Sequence, residues 1–197
     1  MTSSTYNLTQ EIARACEQIT ANIVALSHID AKRVQFGLSI SKKRGKYGLQ
    51  AACYPLRFEG GSLTKEEDGK LWEWPVLRVA GAEMLYYLNF YVPRFLNLNR
   101  DEKLETLVHE LYHISPDFDG TLRRLGKGRH ANHGPSMKYY RSLIAPLIVE
   151  ARSLLDPKEF PFLGLNHRKL EKRHGSVYGT RVKRLRPRIA HQTINVS

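Results

Sequence analysis

Hydrophobic residues recur at helical spacing between residues 8 and 27. Ile12, Cys16, Ile19, Ile23 and Leu26 form a stripe, with Glu11, Arg14, Glu17 and Gln18 between them. The pattern predicts an amphipathic helix packed on a sheet. The period then shortens. Val34, Phe36, Leu38 and Ile40 alternate with polar or small residues, and Tyr47 to Phe58 is a second strand-like stretch. The two predict a hairpin over 33–58 around the basic turn Ser41-Lys42-Lys43-Arg44-Gly45-Lys46. That turn is expected to be a solvated tip, with phosphate contact as its alternative role. A loop is expected over 59–70. Strands are expected from Trp72 to Val79 and from Met84 to Phe95. In the latter, Leu85, Tyr87, Asn89 and Tyr91 alternate with Tyr86, Leu88, Phe90 and Val92. Both sets are largely apolar, which predicts cover on both faces. Pro93 ends this strand or marks an edge.

Asn99 followed by Glu102 has the spacing of a capping box, and Asp101 and Glu102 suit the positive end of a helix dipole. Leu104, Leu107, Val108 and Leu111 supply the buried stripe of that helix, and Pro116 is its stop. A loop is expected over 115–132. A second helix opens at His133-Gly134-Pro135-Ser136, with Met137, Tyr140, Leu143, Ile144, Leu147, Ile148, Ala151 and Leu154 as its apolar face and Pro146 as a kink. After Asp156 the pattern gives way to charge. Residues 157–197 hold ten Lys or Arg against Glu159 and Glu171, so +8 of the net +12 falls in this stretch.

That balance favours anionic partners and says nothing about fold. Composition is otherwise that of an ordinary globular chain, with 42% hydrophobic and 25% charged residues. Cys16 and Cys53 lie in apolar patterns without C-x-x-C spacing, so they are expected to be buried free thiols. No apolar run is long enough to span a bilayer, and the first residues lack a basic segment followed by an apolar one. No membrane association is expected, and a cytoplasmic location is.

The expected helix after Asn99 carries the one strong chemical motif. Thr106 to His113 reads Thr-Leu-Val-His-Glu-Leu-Tyr-His, an H-E-x-x-H pattern at His109, Glu110 and His113. On a helix the two histidines lie one turn apart on one face, where two imidazoles hold one Zn²⁺ and the glutamate acts on a metal-bound water. The bland alternative is a helix with two surface histidines. A catalytic zinc needs a third protein ligand. Candidates are His133, His130, Asp119 and Asp117. His133 is preferred because it sits at the mouth of the next helix, and His130 is its main competitor.

Thr106-Leu107-x-His109-Glu110-x-x-His113, a loop, then His133-Gly134-x-x-Met137-x-x-Tyr140 resembles the SprT-like small zinc metallopeptidases. The stretch from His109 to Gly120, with Phe118-Asp119-Gly120, also resembles a phage metallopeptidase family. The first resemblance covers about residues 8 to 155 and rests on two specific motifs. It implies one catalytic zinc on His109, His113 and His133, with Glu110 as the catalytic residue. The four-cysteine ribbon that ends many SprT-like proteins is absent.

The expected fold is α+β: a small zincin-like domain over 1–156, followed by a basic extension over 157–197. The domain comprises an N-terminal helix, a short mainly antiparallel sheet, the H-E-x-x-H helix and a following helix. The expected function is zinc-dependent hydrolysis of peptide bonds in a protein or peptide substrate. Rival expectations are a nucleic-acid-associated binding or assembly protein with a structural or vestigial zinc, and a zinc hydrolase acting on another bond. Tyr139 and Tyr140 are candidate oxyanion stabilisers, with core packing the stronger expectation for Tyr140. Asp117 or Asp119 would orient a ligand imidazole, or simply shape the loop. The strand from Met84 to Tyr91 is the candidate for pairing with an extended substrate. Arg181, Lys183, Arg184, Arg186 and Arg188 are candidates for phosphate contact.

Overall fold

The computed structural model describes residues 5–41, 48–124 and 137–190. The chain is α+β. In order it forms β1 (Tyr6–Asn7), α1 (Leu8–Asn22), β2 (Val34–Ile40), β3 (Ala51–Pro55), β4 (Thr64–Glu67), β5 (Lys70–Glu73), β6 (Arg78–Val79), β7 (Ala82–Glu83) and β8 (Tyr86–Val92). There follow α2 (Arg100–Tyr112), α3 (Met137–Leu154), α4 (Pro161–Gly164), α5 (His167–His174), β9 (Val177–Tyr178) and β10 (Arg188–Ile189). No helix among the described residues is long and apolar enough to cross a membrane.

The predicted N-terminal helix is present but shorter. It ends at Asn22, and Val24–Leu26 form a separate 3₁₀ turn that still buries Leu26. The expected hairpin over 33–58 does not form. β2 and β3 instead flank β8, β2 in parallel and β3 antiparallel, so the central sheet is mixed, not mainly antiparallel. Alternation reveals a strand's two faces but not its neighbour. β8 is the strand with Tyr86 to Phe90 buried without interruption, which is the mark of a central position. Its two edges are therefore taken, and it is not the strand that can pair with a substrate. The expected strand from Trp72 to Val79 splits into β5 and β6, and β4, β5 and β10 form a separate three-stranded sheet.

One face of the central sheet carries Val34, Phe36, Leu38, Tyr86, Leu88 and Phe90. It packs on α1, α2 and α3 in a single core. The other face carries Tyr54, Tyr87, Asn89 and Tyr91. Here Tyr87 donates to Asn89 Oδ1 at 2.6 Å, and the hydroxyls of Tyr54 and Tyr91 lie 3.1 Å apart. A β-carbon on Gly37 would sit 2.7 Å from the Tyr87 ring, which explains the bare backbone there.

The segment after Asp156 is not a detached extension. Phe160, Phe162, Leu163 and Leu170 are buried in the common core. β9 pairs with β1, and β10 pairs with β5. Between them the chain lies as a strap: Leu38 donates its N–H to the Thr180 carbonyl at 2.8 Å, and the Val182 carbonyl lies 3.3 Å from Tyr87 Oη. Charge dominates the composition of this segment, yet a few large apolar residues fix where it goes.

Candidate metal centre

The helix that carries the motif begins as its sequence dictates. Asn99 Oδ1 accepts the Glu102 N–H at 2.9 Å, and Glu102 Oε2 accepts the Asn99 N–H at 2.8 Å, which completes the capping box. Leu104, Leu107, Val108 and Leu111 are buried as expected. The helix ends at Tyr112, before Pro116. His113 is its C-cap, with its N–H directed to the His109 carbonyl. A small hairpin then closes the end. Ile114 bridges to Leu122, Arg123 donates its N–H to the His113 carbonyl at 2.7 Å, and Gly120 adopts φ 85° where the chain passes against Arg57.

This frame brings His109 Nε2 and His113 Nε2 to 2.9 Å, with the rings nearly perpendicular. Tyr140 of α3 secures both. Its ring stacks on His113 at 5.5 Å and meets His109 edge-on at 4.9 Å, while its hydroxyl donates to the His109 carbonyl at 3.0 Å. Tyr140 is 3% exposed, and its proton is engaged by the backbone, so the structure places it in the packing. Tyr139 is 60% exposed and points away from that packing.

Glu110 lies on the side of α2 that faces the sheet and is 6% exposed. Burial pushes its carboxyl up to about 8, moderated by a hydrogen bond from the Cys53 backbone N–H. The register shows why that N–H is available. Gln50 and Leu56 bond inward to β8, so the alternate residues Ala51, Cys53 and Pro55 direct their backbone groups outward. Among the described residues β3 is the outer strand of the sheet, with no strand paired to its outer edge, which runs past Glu110. The sequence reading missed this contact. The signal was present: Pro55, which has no N–H, suits only an edge position.

Asp119 belongs to the loop. Burial alone would raise its pKa, but hydrogen bonds from Thr121 and Ser115 outweigh this and hold it below the ordinary carboxylate range. Its Oδ1 accepts from Thr121 N–H at 3.0 Å and from Thr121 Oγ1 at 2.7 Å, which is a turn-shaping role. Asp117 is exposed, at the turn after Pro116. His130 and His133 lie outside the described residues. Among the described residues no group of three or more His, Cys, Asp or Glu is placed to hold a metal ion, so two candidate ligands converge without a third. Arg181, Lys183, Arg184, Arg186 and Arg188 are all exposed on the strap, Arg188 paired with Glu73 at 2.9 Å. No protein-family model, curated protein or solved structure matches this chain.

Proposed function

We propose that the chain is a zinc-dependent metallopeptidase of zincin-like architecture that hydrolyses peptide bonds in protein or peptide substrates. The observation that carries this reading is the pair of imidazole nitrogens 2.9 Å apart on one capped helix, beside a buried carboxyl and an open strand edge. A tetrahedral zinc with Zn–N distances of about 2.0–2.1 Å separates two ligand nitrogens by about 3.3 Å. His109 and His113 therefore need only a small side-chain adjustment to share one ion. The third ligand is assigned to His133, with His130 as the alternative.

When bound, zinc supplies a water of lowered pKa and polarises the scissile carbonyl. The rest falls to the chain. Glu110 takes the water's proton, holds it in a buried site suited to the neutral acid, and delivers it to the leaving amine. The Cys53 N–H orients that carboxyl. Tyr140 holds the two imidazoles in register. The outer edge of β3 receives the substrate as an added strand through the outward groups of Ala51 and the Cys53 carbonyl, while the Cys53 N–H stays with Glu110.

Zinc content and hydrolysis of a quenched-fluorophore peptide test the reading together. Wild type and Glu110→Ala should bind zinc equally, and only wild type should cleave. Equal cleavage by both would refute it. Zinc stoichiometry of His133→Ala against His130→Ala decides the third ligand; full retention by His133→Ala refutes the assignment.

A second reading, a nucleic-acid-associated binding or assembly protein with a structural or vestigial zinc, draws on the exposed cations of the strap. Such a site has no need of Glu110 as a base. It expects duplex DNA affinity that falls steeply with salt and weakens in a combined Arg181→Gln, Lys183→Gln, Arg186→Gln variant. Affinity indifferent to both would remove it.

A further inference from the structure

The geometry of β3 also bears on which substrates suit the site, an inference that rests on the peptidase reading. In a sheet, residues directly opposite one another share a face, with β-carbons about 4.5–5.5 Å apart. A substrate strand added to the outer edge of β3 therefore distributes its side chains in a fixed way. The side chain opposite Cys53 falls on the helix face, beside Glu110. Its chain neighbour, opposite Tyr54, falls on the other face, against the C-terminal strap.

That second position is built. The Tyr54 ring stacks against Tyr87 at 5.8 Å, and its hydroxyl is fixed by Tyr91. The Arg184 guanidinium lies over the same ring, 4.4 Å from its centre. Stacking holds a guanidinium flat and leaves its edge N–H groups directed outward, the arrangement that binds a carboxylate through two hydrogen bonds. Arg184 is exposed and forms no ion pair among the described residues. Lys183 and Arg186 flank it, both exposed, so the positive field at this edge is reinforced.

We propose that Arg184, fixed on the Tyr54 ring, selects substrates with Asp or Glu at the residue that pairs opposite Tyr54. This position is adjacent to the one beside Glu110, so the preference falls within a residue or two of the cleaved bond. It gives the strap a role in recognition: a segment distant in sequence supplies one wall of the site. The contact is open to solvent, so the selectivity is modest and sensitive to salt.

The test uses the full-length zinc-loaded protein and quenched-fluorophore decapeptides of one neutral sequence, in which a single glutamate replaces glutamine at each position in turn. Wild type should favour glutamate over glutamine by about threefold to tenfold in kcat/KM at one position near the cleaved bond. The ratio should fall to near one in Arg184→Gln or in high salt, weaken in Arg184→Lys, which keeps the charge but not the stacked fork, and invert in Arg184→Glu. Cleavage of every peptide with no positional preference overturns the proposal and leaves the peptidase reading standing. A preference retained in Arg184→Gln overturns it equally. Should no peptide be cleaved, the peptidase reading fails, and peptide affinity for the Glu110→Gln protein decides the preference alone: equal affinities for the glutamate and glutamine peptides overturn it. Arg184-dependent binding of duplex DNA, with no peptide preference, assigns the strap to nucleic acid and overturns it as well.

Discussion

Two ionisable side chains are buried on the same face of α2, two turns apart, and the fold treats them differently. Lys103 is 1% exposed, and its ammonium donates to the carbonyls of Phe162 at 2.8 Å and Leu165 at 2.9 Å. Glu110 is 6% exposed and receives the Cys53 N–H beside an open strand edge and two imidazoles. Burial moves both toward neutrality, Lys103 down to about 8 and Glu110 up to about 8. Lys103 is a fastening: its charge is met by fixed acceptors from the C-terminal segment, so it ties α2 to residues some 60 positions away. In the proposed reading, Glu110 faces the strand edge at which the substrate is added. A buried charge is therefore a pointer to chemistry only when its surroundings leave room for a reactant.

The comparison breaks most completely if the C-terminal segment is removed. Deleting residues 157–197 takes away both Lys103 acceptors together with Phe160, Phe162, Leu163 and Leu170, all at most 1% exposed. Each such side chain contributes about 1.5–3 kcal/mol on burial. Their sum rivals the whole stability of an ordinary domain, about 5–15 kcal/mol. The truncated chain should lose cooperative unfolding by circular dichroism. A cooperative transition at the wild-type midpoint would restore the idea of a separate extension.

At the other pole, Glu110→Gln keeps size and shape and removes the base. Peptide hydrolysis should fall by about 10²–10⁴-fold, while zinc content and the urea midpoint stay close to wild type. A drop in zinc content parallel to the drop in rate would recast Glu110 as part of the metal's support.

Much of α2 could be read from the chain alone. Asn99 and Glu102 marked its start, the leucines its buried face, and the spacing of His109 and His113 their convergence. These are local properties, set by residues within a turn or two. The pairing of β2 and β3 with β8 was not legible, because two alternating strands near in sequence suggest a hairpin unless the doubly apolar β8 is given the centre. The strap was hidden by its own charge: Phe160, Phe162, Leu163 and Leu170 are few among ten cations. Lys103 gave no sign at all. A lysine beside Leu104 normally turns to solvent, and only the carbonyls of a distant segment draw this one inward. The contacts of Arg184 with Tyr54 and of Cys53 with Glu110 likewise join residues that only the fold brings together.

Lys103→Met tests the fastening itself. Methionine keeps the apolar stem and removes the ammonium, leaving the carbonyls of Phe162 and Leu165 without that donor. Relief from burying a charge opposes this loss, and the two stranded acceptors dominate at about 1–3 kcal/mol each before that offset. The variant should be less stable by about 1–2 kcal/mol at pH 7 by urea titration, with zinc content unchanged. An equally stable variant would mean the two carbonyls find other donors.

The smallest effect is a slope with pH, and its sign is the informative part. Lys103 is lowered to about 8 in the folded chain, chiefly by burial, from an ordinary value of 10.5. Between these values the unfolded chain binds more protons than the folded one, so this group makes stability rise with pH across the window. Below about 8 both states carry the charge, and the cost of burying it is fully present. Tyr54 and Tyr87 are raised to about 12, mainly by burial; they lose their contribution only as pH climbs from about 10 toward those values, in the opposite direction. Glu110, raised to about 8, and Cys16 and Cys53, raised by burial, also contribute to the slope from about pH 8 to 9.5, but they are common to both proteins and cancel in the difference between them. Stability there should rise by about 1 kcal/mol in wild type relative to Lys103→Met. Parallel curves for the two proteins would show that the ammonium already titrates as it would in water, and that the contacts to Phe162 and Leu165 do not hold it in the folded chain.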